Sequence, residues 1–287
     1  MTNSIPKPIR HWIALAGALT ALSALSACGQ ASPAASEPAD AASDSVAAGS
    51  ASSADPAVAA LNGKITFGTE GTYSPFSYHD ESSGELTGYD VEVAKAVGEK
   101  LGLRVEFAET TWDSIFAALE SDRFTAIANE VELTDERKEK YDLSDPYSVS
   151  YPVAITKADD SSITSVADLK GKTAAQTPGS NWGSKAEGYG AKVETVPGFS
   201  ESVAAIRDGR ADFTLNDALA ALDYFKTTND TSVKVALEIT DDKVYQGFAF
   251  KKDSGLLPAV NQALSELSAD GTLAQLGEKY FGKDISK

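Results

Sequence analysis

An 87-residue repeat constrains this chain more than any other feature. Ala117-Ala118-Leu119-Glu120-Ser121-Asp122-Arg123 leads to Asn129-Glu130, and Ala204-Ala205-Ile206-Arg207-Asp208-Gly209-Arg210 leads to Asn216-Asp217. Each copy reads as a helix end, a polar turn, a buried strand, and polar residues where the strand exits. Ligands of open α/β sheets sit outside the carboxyl ends of strands. The repeat therefore predicts α/β architecture in two lobes. It also marks Asn129 and Glu130 in one, and Asn216 and Asp217 in the other, as candidate site positions.

The local patterns agree with that plan. Ile65 and Phe67 alternate with Lys64, Thr66 and Gly68, as a half-buried strand does. From Gly88 to Leu101, Val93, Val97 and Leu101 form one apolar helical face. Leu103, Val105 and Phe107 then alternate again, so strand–helix–strand units on a largely parallel sheet are expected. Pro258 can start a helix bearing Val260, Leu264 and Leu267, and Gly271 separates it from a second bearing Leu273, Leu276 and Tyr280. These helices need the first lobe as a partner. Crossings near Tyr147–Val153 and Tyr245–Ala249 would return the chain to it, forming a two-strand hinge about a cleft. The expected division is 61–150 plus 247–287 for the first lobe and 151–246 for the second.

The N-terminus reads as an address. Lys7 and Arg10 precede an apolar stretch from Trp12 to Ala27, too short for a comfortable span of about 20 residues. That is the layout of a secretory signal peptide, residues 1–27. It ends in Leu25-Ser26-Ala27-Cys28-Gly29, which resembles the lipobox of bacterial lipoproteins and implies an acylated Cys28 as membrane anchor. Segment 28–60 holds 13 Ala, 7 Ser, 3 Pro and no aromatic residue, and is expected to be a flexible tether.

Composition narrows the chemistry. Cys28 is the chain's only cysteine and there are two His, so a disulfide framework is excluded and a zinc site has almost no ligands. The body 61–287 carries 38 acids and 23 bases, which argues against a nucleic-acid partner. No glycine-rich phosphate motif is present, and no cofactor or metal is expected.

Gly88-Tyr89-Asp90-Val91-Glu92-Val93-Ala94-Lys95-Ala96-Val97 resembles the signature helix of family 3 extracellular solute-binding proteins. The resemblance extends through Gly68-Thr69-Glu70-Gly71-Thr72-Tyr73-Ser74-Pro75-Phe76, Thr134-Asp135-Glu136-Arg137, Ser144-Asp145-Pro146-Tyr147, Asp270-Gly271-Thr272-Leu273 and Lys279-Tyr280-Phe281-Gly282, covering nearly all of 61–287. Asn129-Glu130-Val131 and Leu219-Ala220-Ala221-Leu222-Asp223 look most like cystine-binding members. It implies a two-lobe periplasmic-binding-protein (type II) fold. It further implies a monomeric receptor, with no catalysis of its own, that hands an amino acid to an ABC permease and its ATPase at the cell envelope, facing the periplasm or exterior. Cystine is the favoured ligand; cysteine or another neutral polar amino acid is the alternative. A cyclohexadienyl dehydratase-like enzyme on the same fold is the alternative class.

Within that resemblance Arg137 would hold the ligand's α-carboxylate and Asp217 its α-ammonium, so that one amino acid bridges both lobes. Asp217 can also cap the following helix. Thr177, Gly179, Ser180 and Asn181 would donate to the carboxylate, with a plain Pro-Gly turn as the other reading. Tyr73 and Trp112 would wall the side chain, or pack in the core. Tyr147 would wall it or pack the hinge. Glu130 and Glu132 depart from the small residues common in the family. They would either pair with Arg137 or, with Glu70 nearby, face the ligand's far end and repel anionic side chains.

Overall fold

The computed structural model describes residues 55–287. The expected signal peptide, Cys28 and the tether up to residue 54 lie outside the described residues. The tether's expected end at residue 60 is too late. Pro56–Ala59 forms a short helix, α1, capped by Asp55, whose carboxylate accepts from the amides of Ala57 (2.8 Å) and Val58 (3.3 Å). Val58 is buried in the core of the first lobe. An Asp-Pro start signal with one apolar anchor behind it outweighs the alanine- and serine-rich composition here.

The first lobe continues with β1 (Lys64–Thr69), β2 (Thr72–Tyr73), β3 (Ser77–His79), β4 (Leu86–Thr87), α2 (Tyr89–Leu101) and β5 (Arg104–Glu109). Then come α3 (Trp112–Glu120), β6 (Ala126–Glu132), α4 (Asp135–Lys140), β7 (Tyr141–Leu143) and β8 (Ser148–Ser150). The second lobe contains β9 (Pro152–Lys157), β10 (Thr173–Gln176), α5 (Asn181–Gly188), β11 (Lys192–Thr195) and α6 (Phe199–Arg207). It is completed by β12 (Phe213–Asp217), α7 (Ala218–Thr228) and β13 (Val233–Glu238). The chain returns through β14 (Val244–Lys251) to α8 (Leu257–Ala269) and α9 (Thr272–Phe281) in the first lobe.

Both main sheets follow one plan. The first runs β5-β1-β6-β14-β7, with β8 also on β14; the second runs β11-β10-β12-β9-β13. In each, three strands are parallel (β5-β1-β6 and β11-β10-β12) and the next is antiparallel. That antiparallel strand is the one that follows a crossing: β9 has just left the first lobe, and β14 has just left the second. The repeated segments thus end in β6 and β12, which occupy equivalent places in their sheets.

The crossings pair with each other. Ser148 faces Gln246 and Ser150 faces Val244 across the β8–β14 ladder. The expected lobe boundary at 246/247 falls inside β14, because this ladder begins at Val244. Behind the hinge, Tyr147, Tyr89, Phe67 and Phe248 are fully buried, and the Tyr147 ring lies 4.7 Å from that of Phe248. The buried face of α2 (Val93, Val97, Leu101) shares this core with Val260, Leu264 and Leu267 of α8.

Gly88 sets where α2 begins. Its φ is +128°, and a Cβ there would collide with the main-chain carbonyl of Phe76. Gly88→Ala is expected to destabilise the fold by about 2–3 kcal/mol, read as a lowered midpoint of urea unfolding.

Candidate functional site

Four strands end at one cavity of about 400 Å³. Glu70 follows β1, Thr177 follows β10, Asn129 to Glu132 close β6, and Asn216-Asp217 close β12. Both lobes therefore present strand exits to the same space, as the repeat predicts. Trp112 at the start of α3 lines it too. Phe199, which sequence reasoning missed, opens α6 on the other side. The 87-residue offset maps Trp112 onto Phe199, so the repeat held the missing signal.

Asn129 fixes Glu70. Its amide oxygen accepts from the Glu70 N–H (2.8 Å) and the Thr69 hydroxyl (3.0 Å), and its Nδ2 donates to Glu70 Oε2 (2.8 Å). Burial is the main cause that raises the Glu70 pKa above its usual range. Across the cleft, the Tyr73 hydroxyl donates to Asn216 Oδ1 (2.7 Å), and the Ser74 hydroxyl donates to Asp223 Oδ2 (2.8 Å). The lobes are thus in direct contact.

Asp217 caps α7, accepting from the Leu219 amide (2.8 Å), yet both of its oxygens also face the hinge. Ser150 Oγ donates to Oδ1 (2.7 Å) and Gln246 Nε2 donates to Oδ2 (3.0 Å). It is 1% exposed, and burial, partly offset by these donors, pushes its pKa up to about 6. Gln246 is a second residue the sequence reading missed; nothing local in its strand marks it.

Glu130 is the unusual acid. It holds φ +48°, a left-handed conformation that costs a non-glycine residue energy. Its N–H donates to buried Asp90 Oδ2, and its Oε1 lies 3.0 Å from the Ser148 hydroxyl. That hydroxyl is also 2.9 Å from Gln246 Oε1. One hydroxyl hydrogen cannot serve two acceptors, so the arrangement is satisfied when Glu130 carries a proton, donates to Ser148, and Ser148 donates to Gln246. Burial and then repulsion from Asp90 raise the Glu130 pKa well above its usual value. Burial likewise pushes Asp90 up to about 7.

Glu132 and Arg137 do not form a side-chain ion pair. Thr134 caps α4, with Arg137 N donating to its hydroxyl (3.2 Å). The Arg137 guanidinium lies 5.3 Å from the rings of both Trp112 and Phe116, and Nη1 donates to the Glu132 main-chain carbonyl (3.0 Å). Its side chain faces an adjoining cavity of about 410 Å³, which Gly179 also lines. The Glu132 carboxylate accepts instead from Asn181 Nδ2 and lies 3.5 Å from Lys185 Nζ. Glu132, Ser180 and Asn181 line both cavities.

The structure therefore gathers Glu70, Tyr73, Trp112, Asn129, Glu130, Glu132, Thr177, Ser180, Asn181 and Asp217 around the main cavity, with Arg137 and Gly179 next door. Tyr147 lines neither: it is wholly enclosed by the aromatic core beneath the hinge, so hinge packing replaces the wall role. Glu70, Glu130, Glu132, Glu201 and Asp217 line the main cavity, and no Lys, Arg or His does among the described residues. No described helix is long and apolar enough to cross a membrane.

The profile of the bacterial extracellular solute-binding proteins, family 3, matches residues 65–283. The L-cystine-binding protein TcyA of Bacillus subtilis is 50% identical over 226 residues, 78% of this chain and 84% of the relative. The L-cystine solute receptor of Neisseria gonorrhoeae, in its unliganded open conformation, is 46% identical with TM-score 0.56, covering 80% of this chain and 99% of the receptor. An ancestral arginine-binding protein bound to arginine is 36% identical with TM-score 0.71, covering 77% and 99%. The lower score at higher identity fits a difference in lobe opening, since here Tyr73, Ser74 and Glu132 join the lobes directly.

The raised acids link stability to pH. Asp90 and Asp217 titrate near 7 and 6 in the folded chain, above the ordinary 3.8. Between those values the native state binds more protons than the unfolded chain, so their stabilising contribution is full at low pH and lost as pH rises through about 6 and 7. Urea stability is expected to fall from pH 5 to 8, and Asp90→Asn to flatten that fall; an equal slope in the variant would contradict it.

Proposed function

Because the chain belongs to the bacterial extracellular solute-binding proteins, family 3, we propose that it is the receptor of an amino acid ABC importer and captures L-cystine between its lobes. The observation that carries the ligand reading is the cavity's acidity: five acidic side chains, of which Glu130 keeps its proton, and no cation among the described residues, with Asp217 at its floor bonded only to neutral donors. Such a space favours an ammonium and disfavours an anionic side chain.

In this reading Asp217 takes the α-ammonium. The α-carboxylate points to the shared wall at the amino end of α5, beyond which the Arg137 guanidinium lines the adjoining cavity. Trp112 and Phe199 supply contact from opposite lobes at little entropic cost. Binding at both lobes favours the closed arrangement, which is the form a permease can recognise, and needs no bond to be made or broken. The 50% identity to an L-cystine-binding protein supports cystine over cysteine or another neutral polar amino acid. The lipobox at Leu25–Gly29 supports a lipid on Cys28 that holds the receptor at the membrane, facing the periplasm or exterior.

Isothermal titration should show cystine binding and no measurable glutamate binding. Loss of one charged hydrogen bond is worth roughly 1.5–3 kcal/mol, so Asp217→Asn is expected to weaken cystine by about tenfold to a hundredfold. Tight glutamate binding, or an unchanged Asp217→Asn affinity, would overturn the reading. Mass spectrometry of the mature protein should find the diacylglyceryl group on Cys28, and Cys28→Ser should release the receptor from membranes.

A further inference from the structure

Glu132 and Lys185 form the one ion pair that joins the two lobes among the described residues. Glu132 ends β6 in the first lobe, and Lys185 lies in α5 of the second. Their side chains are 13% and 21% exposed, so each has given up much of its hydration. Such a pair is expected to close to about 2.7–2.9 Å when it forms a charge-assisted hydrogen bond, yet Nζ stands 3.5 Å from Oε1. The gap is held from outside: Lys185 is drawn to Asp242 (3.0 Å), itself bonded by the Tyr189 hydroxyl (3.1 Å), while Asn181 holds the other Glu132 oxygen.

The location matters as much as the spacing. Glu132 and Asn181 stand on the wall shared by the two cavities, and Lys185 lines the outer one. The outer cavity, of about 410 Å³, leaves room beyond a first amino-acid head in the inner cavity. Another cation there, Lys140, is already paired with Glu136 at 2.8 Å.

We propose that Glu132 and Lys185 are a second head-group subsite, which selects ligands bearing two amino-acid heads joined by a short bridge. The inference rests on the amino acid reading of the inner cavity. An acceptor on one lobe and a donor on the other match the ammonium and carboxylate of a zwitterionic head. On entry the distal ammonium takes Glu132 and the distal carboxylate takes Lys185. Each protein charge exchanges one partner for another, so neither is left buried alone, and the ligand replaces the direct bridge between the lobes. A one-headed amino acid leaves the pair as it stands and gains nothing from it.

The test is isothermal titration of the receptor with L-cystathionine, which has two heads and no reducible bond, and with S-methyl-L-cysteine, which has one. The readout is the ratio of the two affinities. Wild type is expected to favour cystathionine, and Glu132→Gln and Lys185→Gln each to lower that preference at least fivefold. Each variant carries the test alone, so misfolding of one leaves the other decisive. A smaller change, or a wild type that prefers S-methyl-L-cysteine, overturns the subsite. Asp217→Asn separates the two levels: it should weaken both ligands together. A wild type that binds neither overturns the amino acid reading itself.

Discussion

The structure depends on how carboxylates are kept inside a hinge without a cation. An unpaired charge buried in protein is costly, and the usual outcomes are a partner, a proton or several neutral donors. The hinge uses the last two. Asp217 receives Ser150, Gln246 and its own helix amide, and Glu130 meets Ser148, which meets Gln246. A hydrogen-bond chain thus runs from β6 in one lobe, across the paired strands β8 and β14, to β12 in the other. The strands that cross between the lobes also carry the donors that hold the acid sites.

That chain explains why the strand exchange matters. Each sheet takes its antiparallel strand from the crossing that has just left the other lobe, so Ser148 and Gln246 face one another by register. Had the two crossings been unpaired loops, the acids at the strand exits would lack a rigid set of donors. The strained backbone of Glu130 belongs to the same arrangement: its φ of +48° aims its N–H at Asp90 while its carboxyl reaches the hinge. Strain at a site persists only where surrounding contacts over-determine it.

The positive charges are set apart from this acid floor. Arg137 is wedged between two rings in the adjoining cavity, and Lys185 bridges Glu132 and Asp242. The cleft is therefore polarised, with acids innermost and cations beyond the shared wall. In the proposed reading, a zwitterion would meet complementary charge at both ends, which would set its orientation.

Much of this was legible in the chain. The repeat predicted the strand exits at Asn129-Glu130 and Asn216-Asp217, because helix end, turn and buried strand are local patterns that chemistry imposes within a few residues. The cap at Asp217 followed from the same local rules. The sequence determined the elements, the lobes and the acid character of the cleft. Only the tertiary structure decided which charges meet: that Glu132 takes Lys185 and Asn181 rather than Arg137, that Gln246 braces Asp217, and that Tyr147 is walled into the core. Those pairings join residues 29 to 53 positions apart or more, through side-chain directions fixed by packing and strand register. Such contacts leave no period in the sequence, since nothing local distinguishes the glutamine or lysine that makes them.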